Sequence, residues 1–320
     1  MSTRLNQFFS LVGLAVTELF RQPAVFLLIL ASTAFTVLVP LAIFHQLGQE
    51  NHLAVDSSLA FEFVFGVILA GYAACATLHN ECRSGTILIL FSKPVSRLMF
   101  FLAKYMAVAI LLGFYVLCST AASLLAERLA PRMFEFDSLG LILLLVLTPA
   151  ALLAAALLNF LTRRPFVSHA MIFFAVVLAA LVLILGMLDR EGHRVAFGSM
   201  MEWRLIRACL LEGFALLLLA TIAISLAGRL PAPVTVAILT AFLFAGLISD
   251  HLAGLLPPSP ALRFALQTVL PDIQAFWPAD RLTGPGTLSL AMMAHAAAYA
   301  AAYGAGALCL GYAAFRNRQF

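Results

Sequence analysis

NECRSGTILILFSKPVSRLMFFLAKY, residues 80–105, is the longest charged island in an otherwise almost continuously apolar chain. Glu81, Arg83, Lys93, Arg97 and Lys104 frame one short apolar run, Thr86 to Phe91. Long apolar stretches flank the island, 59–79 before it and 97–125 behind it. Stretches of more than about 18 apolar residues can cross a bilayer as helices. They are continuous rather than alternating, which selects helices over a barrel, the other structure that satisfies every backbone group in lipid. The island therefore reads as a loop between two spans.

The rest of the chain repeats this pattern. Hydrophobic residues make up 63% of its 320 positions and charged residues only 11%, against about 25% charged in soluble domains. The mean hydropathy is +1.03. Eight spans follow: 23–44, 59–79, 97–125, 139–161, 166–188, 204–228, 232–250 and 287–314. Only the short linker GRLPAP, 228–233, separates 204–228 from 232–250, and six spans result if that pair is re-entrant. The fold class is thus all-α and polytopic, one transmembrane domain over 1–320.

Before the first span, residues 4–21 place Asn6, Gln7, Ser10, Thr17, Glu18 and Arg21 on one helix side and Phe8, Phe9, Val12, Val16, Leu19 and Phe20 on the other. Such an amphipathic segment, within 1–22, suits a helix lying in the membrane interface. It carries Glu18 and lacks a small-residue cleavage site, so it does not read as a signal peptide. The five cysteines are odd in number and sit in or beside apolar runs, which is no disulfide framework.

Orientation follows from Lys and Arg. With the N-terminus cytoplasmic, the inner side holds eleven basic residues against Glu18 and Glu81, a net +9. The outer side holds eight basic against thirteen acidic residues, a net −5, and the two recover the +4 of the whole chain. Both termini are then cytoplasmic, and 251–286 is an extracytoplasmic loop whose prolines and Trp277 suit segments dipping into the interface.

The island at 80–97 is then cytoplasmic. Glu81 is expected to start a short helix, where the positive end of the dipole favours it. That helix must stop at Lys93, because Pro94 lacks a donor and its ring clashes with the preceding turn. Ser96 is the expected N-cap of the next span, and Lys104 is expected to snorkel back to the surface. A helix, a proline corner and a span form a lever with one face open to a soluble partner.

The series Glu81-x-Arg83-x-Gly85-Thr86, Ser92-x-Pro94-x-Ser96-Arg97 and Lys104 resembles the signature of ABC-2 type permeases, the membrane subunits of ATP-driven exporters. The likeness is greatest to the branch that includes permeases for copper-enzyme maturation. Arg21-Gln22-Pro23, the Leu270-Pro271 loop and the tail Phe315-Arg316-Asn317-Arg318 are similar too. The resemblance implies that 81–97 is the coupling segment on which a separate ATPase docks, with Glu81, Arg83, Gly85, Thr86, Leu88, Ser92, Pro94, Ser96, Arg97 and Lys104 as its coupling residues. It also implies two ATPase copies carrying ATP and Mg, a second permease chain forming a homodimer, and the cell inner membrane as the location. Many members have six spans; the difference here lies in about 189–250.

No G-x-x-x-x-G-K-[ST] occurs, so the chain itself has no P-loop, and no G-x-S-x-G or H-E-x-x-H marks a catalytic site. No catalytic or metal-ligating residue and no cofactor of its own is assigned. Cys75, His79 and Cys82 share a helix face at i, i+4 and i+7, but a fourth ligand is lacking. Small residues along the last span, Ala294 to Gly311, suit close helix packing within one subunit or between two. Glu62 and Glu212 lie inside spans toward the outer end, where a charge costs about 2.5–3.5 kcal/mol on insertion scales. They are the candidates for a substrate path. Two other function classes stay open: an ion-coupled secondary transporter, which needs broken helices and midplane charges, and an intramembrane lipid-modifying enzyme.

Overall fold

The computed structural model describes residues 2–42, 50–85, 95–131, 137–249, 269–278 and 288–317, with isolated positions at 251, 254 and 282. It is an all-helical bundle. In chain order the helices are α1 (Ser2–Phe20), α2 (Pro23–Ala42), α3 (Glu50–Ala74), α4 (Arg97–Leu129), α5 (Ser138–Thr162), α6 (Phe166–Gly186), α7 (Arg204–Ala227), α8 (Ala232–Leu247) and α9 (Leu290–Arg316). Among the described residues, seven helices are long and apolar enough to cross a membrane: Pro23–Leu41, Leu53–Ser84, Arg97–Leu129, Ser138–Thr162, Phe166–Gly186, Arg204–Ala227 and Leu290–Arg316. The eighth expected span, 232–250, is present as α8, but its 16 residues reach only about 24 Å.

Local sequence sets the helix ends. Pro23 opens α2, where a missing N–H costs nothing. The side chains of Ser96, Asp137 and Ser289 accept from Met99 N, Gly140 N and Met292 N at 3.2, 2.8 and 3.2 Å, capping α4, α5 and α9. The α4 cap is the one read from the sequence. α3 does not end near His79. It passes through a π-helical turn, Cys75–His79, in which Asn80 N–H reaches back to the Cys75 carbonyl, and continues over Asn80–Ser84. Gly85 stops it with φ +71°, a left-handed conformation that glycine adopts without strain.

α7, α3 and α4 form the centre. α7 packs on α3, α4 and α9; α2 lies against α3 and α4; α8 lies against α3 and α7. α5 packs mainly on α6 and leaves Leu153, Phe160 and Leu161 exposed on its far side, the apolar exterior a lipid-facing helix requires. α1 packs on α4, with Ala15 and Leu19 buried and Phe9 and Leu14 exposed.

Two sets of polar contacts mark the ends of the bundle. At one end, Arg97 donates to the Arg316 carbonyl at 2.7 Å, Arg229 to the Ala314 carbonyl at 3.4 Å, and Ser168 to the Phe20 carbonyl at 3.2 Å. These residues belong to the side read as cytoplasmic. At the other end, Arg128 pairs with Asp137 at 3.0 Å and donates to the Leu185 carbonyl. Arg190 donates to the Arg128 carbonyl at 3.2 Å, and Arg207 to the Leu288 carbonyl at 3.0 Å. The chain alternates between the two ends, so α8 carries it from the Arg229 end back toward the other.

Another segment lies against the end of α8, where the Pro271 carbonyl and Ile273 close on Gly246. Residues 269–278 insert beside it, with Ile273 and Phe276 buried. The Asp272 backbone N–H donates to the Tyr299 hydroxyl oxygen at 2.9 Å, and the Tyr303 hydroxyl donates to the Val269 carbonyl at 2.8 Å. Tyr303 lies about 20 Å along α9 from Leu290. Trp277 meets Phe63 edge-on, ring centroids 5.9 Å apart.

Candidate functional site

The polar features of the chain gather at two levels. The first is the end of the bundle around the charged island. Thr86, Leu88, Ser92 and Pro94, with the short helix expected over them, lie outside the described residues. The described residues on either side are the end of α3 and the start of α4. Arg83 is exposed at the end of α3, and Ser96 and Arg97 are exposed at the start of α4. Gly85 turns the chain out of α3.

Two expectations are corrected here. Glu81 does not begin a short helix; it stands in the last turn of the long α3 helix, which the π turn carries past His79. Lys104 does not snorkel to the surface. Its side chain is 5% exposed, and Nζ donates to Glu81 Oε1 at 2.7 Å while lying 5.5 Å above the Phe100 ring. In a poorly hydrated setting a carboxylate is a nearer partner for the ammonium than distant water. Glu18 of α1 completes the group. Burial lifts its carboxyl above the ordinary range, Lys104 draws it down and Glu81 pushes it up. One cluster thus ties together α1, the end of α3 and the start of α4.

The second level is inside the bundle. Glu62 is not one turn into its span. The helix starts at Glu50, so Glu62 lies about 18 Å from that end. The apolar run begins at 59 because Ser57 and Ser58 precede it, but their hydroxyls donate to the Ala54 and Val55 carbonyls, which lets the helix continue upstream. Glu62 and Glu212 are both completely buried rather than reaching the surface.

Sequence spacing does not join these two residues, and the packing of α3 on α7 brings them into one buried region. Their carboxyls are close enough to repel each other when both are ionised. Ser119 Oγ donates to Glu62 Oε2 at 3.1 Å, and Cys209 hydrogen bonds to the same carboxyl. Tyr115 donates to the Glu62 backbone carbonyl at 2.8 Å, and Ser32 Oγ lies 2.9 Å from that phenol. Ser123 lies 3.9 Å from the Cys209 sulfur. A signal was available: Tyr115, Ser119 and Ser123 follow at i, i+4 and i+8 on one face of α4, and Cys209 and Glu212 at i and i+3 on α7.

Cys75 does not join His79 and Cys82 in a site. Its sulfur points to Thr235 Oγ1 at 3.3 Å and the Leu230 carbonyl at 3.6 Å. Among the described residues, no three His, Cys, Asp or Glu side chains gather as a metal site would.

Residues 19–174 match the family model described as ABC-2 family transporter protein. Over that stretch the chain is similar to the ABC-2 transporter family. The stretch runs from the end of α1 into α6, and so contains the island, Glu62 and the polar face of α4. The match is to the ABC-2 family at large, not to its copper-enzyme-maturation branch. No curated protein and no solved structure matches the chain.

Proposed function

We propose that this multi-pass ABC-2 protein is the permease subunit of an ATP-binding cassette exporter, driven by a separate ATPase that docks on 81–97. The family match over residues 19–174 carries this reading. The bundle end described above supports it: exposed Arg83, Ser96 and Arg97 flank the docking segment, and Glu81 and Lys104 join its two supporting helices. A push on the segment reaches α3 and α4, the two central helices that carry Glu62 and its partners. Glu62 and Glu212 then line the substrate path. Two ATPase copies, holding ATP and Mg, act on two identical permease chains in the cell inner membrane, with both termini cytoplasmic.

The test is affinity purification of the full-length chain from its own membranes. An ATPase with a P-loop is expected to co-purify, and the complex to hydrolyse ATP. Transport driven by a proton gradient with no ATPase bound contradicts the proposal.

A further inference from the structure

The Glu62–Glu212 pair poses a problem in electrostatics that the transport reading leaves unsolved. Three of its four carboxyl oxygens, Glu62 Oε1 and both oxygens of Glu212, are buried without a hydrogen-bond partner. An ionised carboxylate in such a place needs a cation or several donors. Two carboxylates in one buried region also repel, and taking up a proton relieves both costs.

Among the described residues, no cation is paired with either carboxyl. From α4 the pair is faced by Tyr115 and Ser119, and from α7 by Cys209. α2 offers Ser32, and α8 contains no titratable residue. Nearby basic groups are engaged elsewhere: Arg207 of α7 donates to the Leu288 carbonyl, and on α9 the His295 ring is 2.7 Å from the Ala291 carbonyl. Tyr299 and Tyr303 of α9 bond the 269–278 segment. On α3, Asp56 lies nearly two turns toward the outer end. The packing also leaves little room for a larger guest. A Cβ at Gly66, one turn along α3 from Glu62, would lie 2.7 Å from Leu216 Cδ2 and 3.1 Å from the Tyr115 ring.

We propose that Glu62 and Glu212 form an intramembrane proton site, holding at least one proton at neutral pH in this closed bundle. As an acid, a carboxyl no longer carries an uncompensated charge into the buried seam between α3 and α7. Water entering between these helices makes ionisation cheaper, so opening the bundle and releasing the proton are linked. This inference does not depend on what the protein transports or on what drives it.

The experiment uses the full-length chain in lipid nanodiscs at pH 7. Infrared difference spectra, wild type minus E62Q and wild type minus E212Q, are expected to show the C=O band of a protonated carboxyl missing from at least one variant. Gln mimics the neutral acid, so both variants are expected to unfold within about 4 °C of wild type. Equal absence of the band from the difference spectra of both variants overturns the proposal. So does failure of both Gln variants to fold, because that marks charges the interior requires. A midpoint that rises with sodium or potassium concentration in wild type, and not in the variants, replaces the proton with a metal cation and overturns it too.

Discussion

The pair Glu81–Lys104 is where a single side chain has the clearest leverage. It joins the last turn of α3 to the second turn of α4 at 2.7 Å with little exposure, directly across the base of the docking segment. Charge reversal in E81K puts two ammonium groups together in a nearly dry site, and breaking a buried pair costs about 3 kcal/mol. ATP hydrolysis is expected to continue in the E81K complex while transport falls about tenfold or more, and the swap E81K/K104E is expected to recover most of it. Flux and hydrolysis measured together check this; normal coupling in E81K contradicts the role. Glu18 makes a separate prediction. Burial lets the folded protein hold the Glu18 proton to higher pH than the unfolded chain does. Stability therefore drains away as pH rises above the ordinary carboxylate value of 4.5. E18Q removes that loss, so its thermal midpoint is expected to gain on wild type with rising pH; parallel curves contradict it.

At the scale of the helix, much was legible and some was not. The spans show because each is a long apolar run, and Ser96 reads as a cap because a serine follows a proline corner. Two things were hidden. The π turn at Cys75–His79 has no marker in sequence, yet it extends α3 and moves Glu81 from a helix start to a helix end. Glu62 and Glu212 stand 150 positions apart, and helical periodicity cannot encode that the packing of α3 on α7 buries both in one region. The small residues of the last span divide between two faces. Gly304 and Gly311 are buried against Thr221 and Ser225 of α7, whereas Ala294, Ala298, Ala301 and Ala302 face outward. In G311A the new Cβ would lie 2.9 Å from the Ser225 Cα, so α9 must shift. A loss of about 1–3 kcal/mol is expected, read as a lower unfolding midpoint, whereas A298L on the outward face leaves the isolated chain unchanged. The opposite ranking contradicts this packing.

Over the whole molecule, charge and packing agree. Arg97 and Arg229 gather at the closing turn of α9, and the bundle centre is made by helices from both halves of the chain. α7, outside the stretch matched to the family, packs on α3 and α4 inside it. Residues 175–317 are therefore needed to cover the core of the matched segment, and expression of 1–174 alone is expected to give aggregates rather than a monodisperse membrane protein. Native mass spectrometry of the full complex is expected to show two permease chains with two ATPases; a lone permease bound to one ATPase contradicts the assembly.

The hydrogen bonds from Arg97 and Arg229 to the closing carbonyls of α9 have a practical bearing. They staple the tail of the chain to the lever's pivot. A spin label at Asn317 would thus ride with the hinge itself, and distances between such labels in paired subunits could time each stroke of the engine without touching the docking surface.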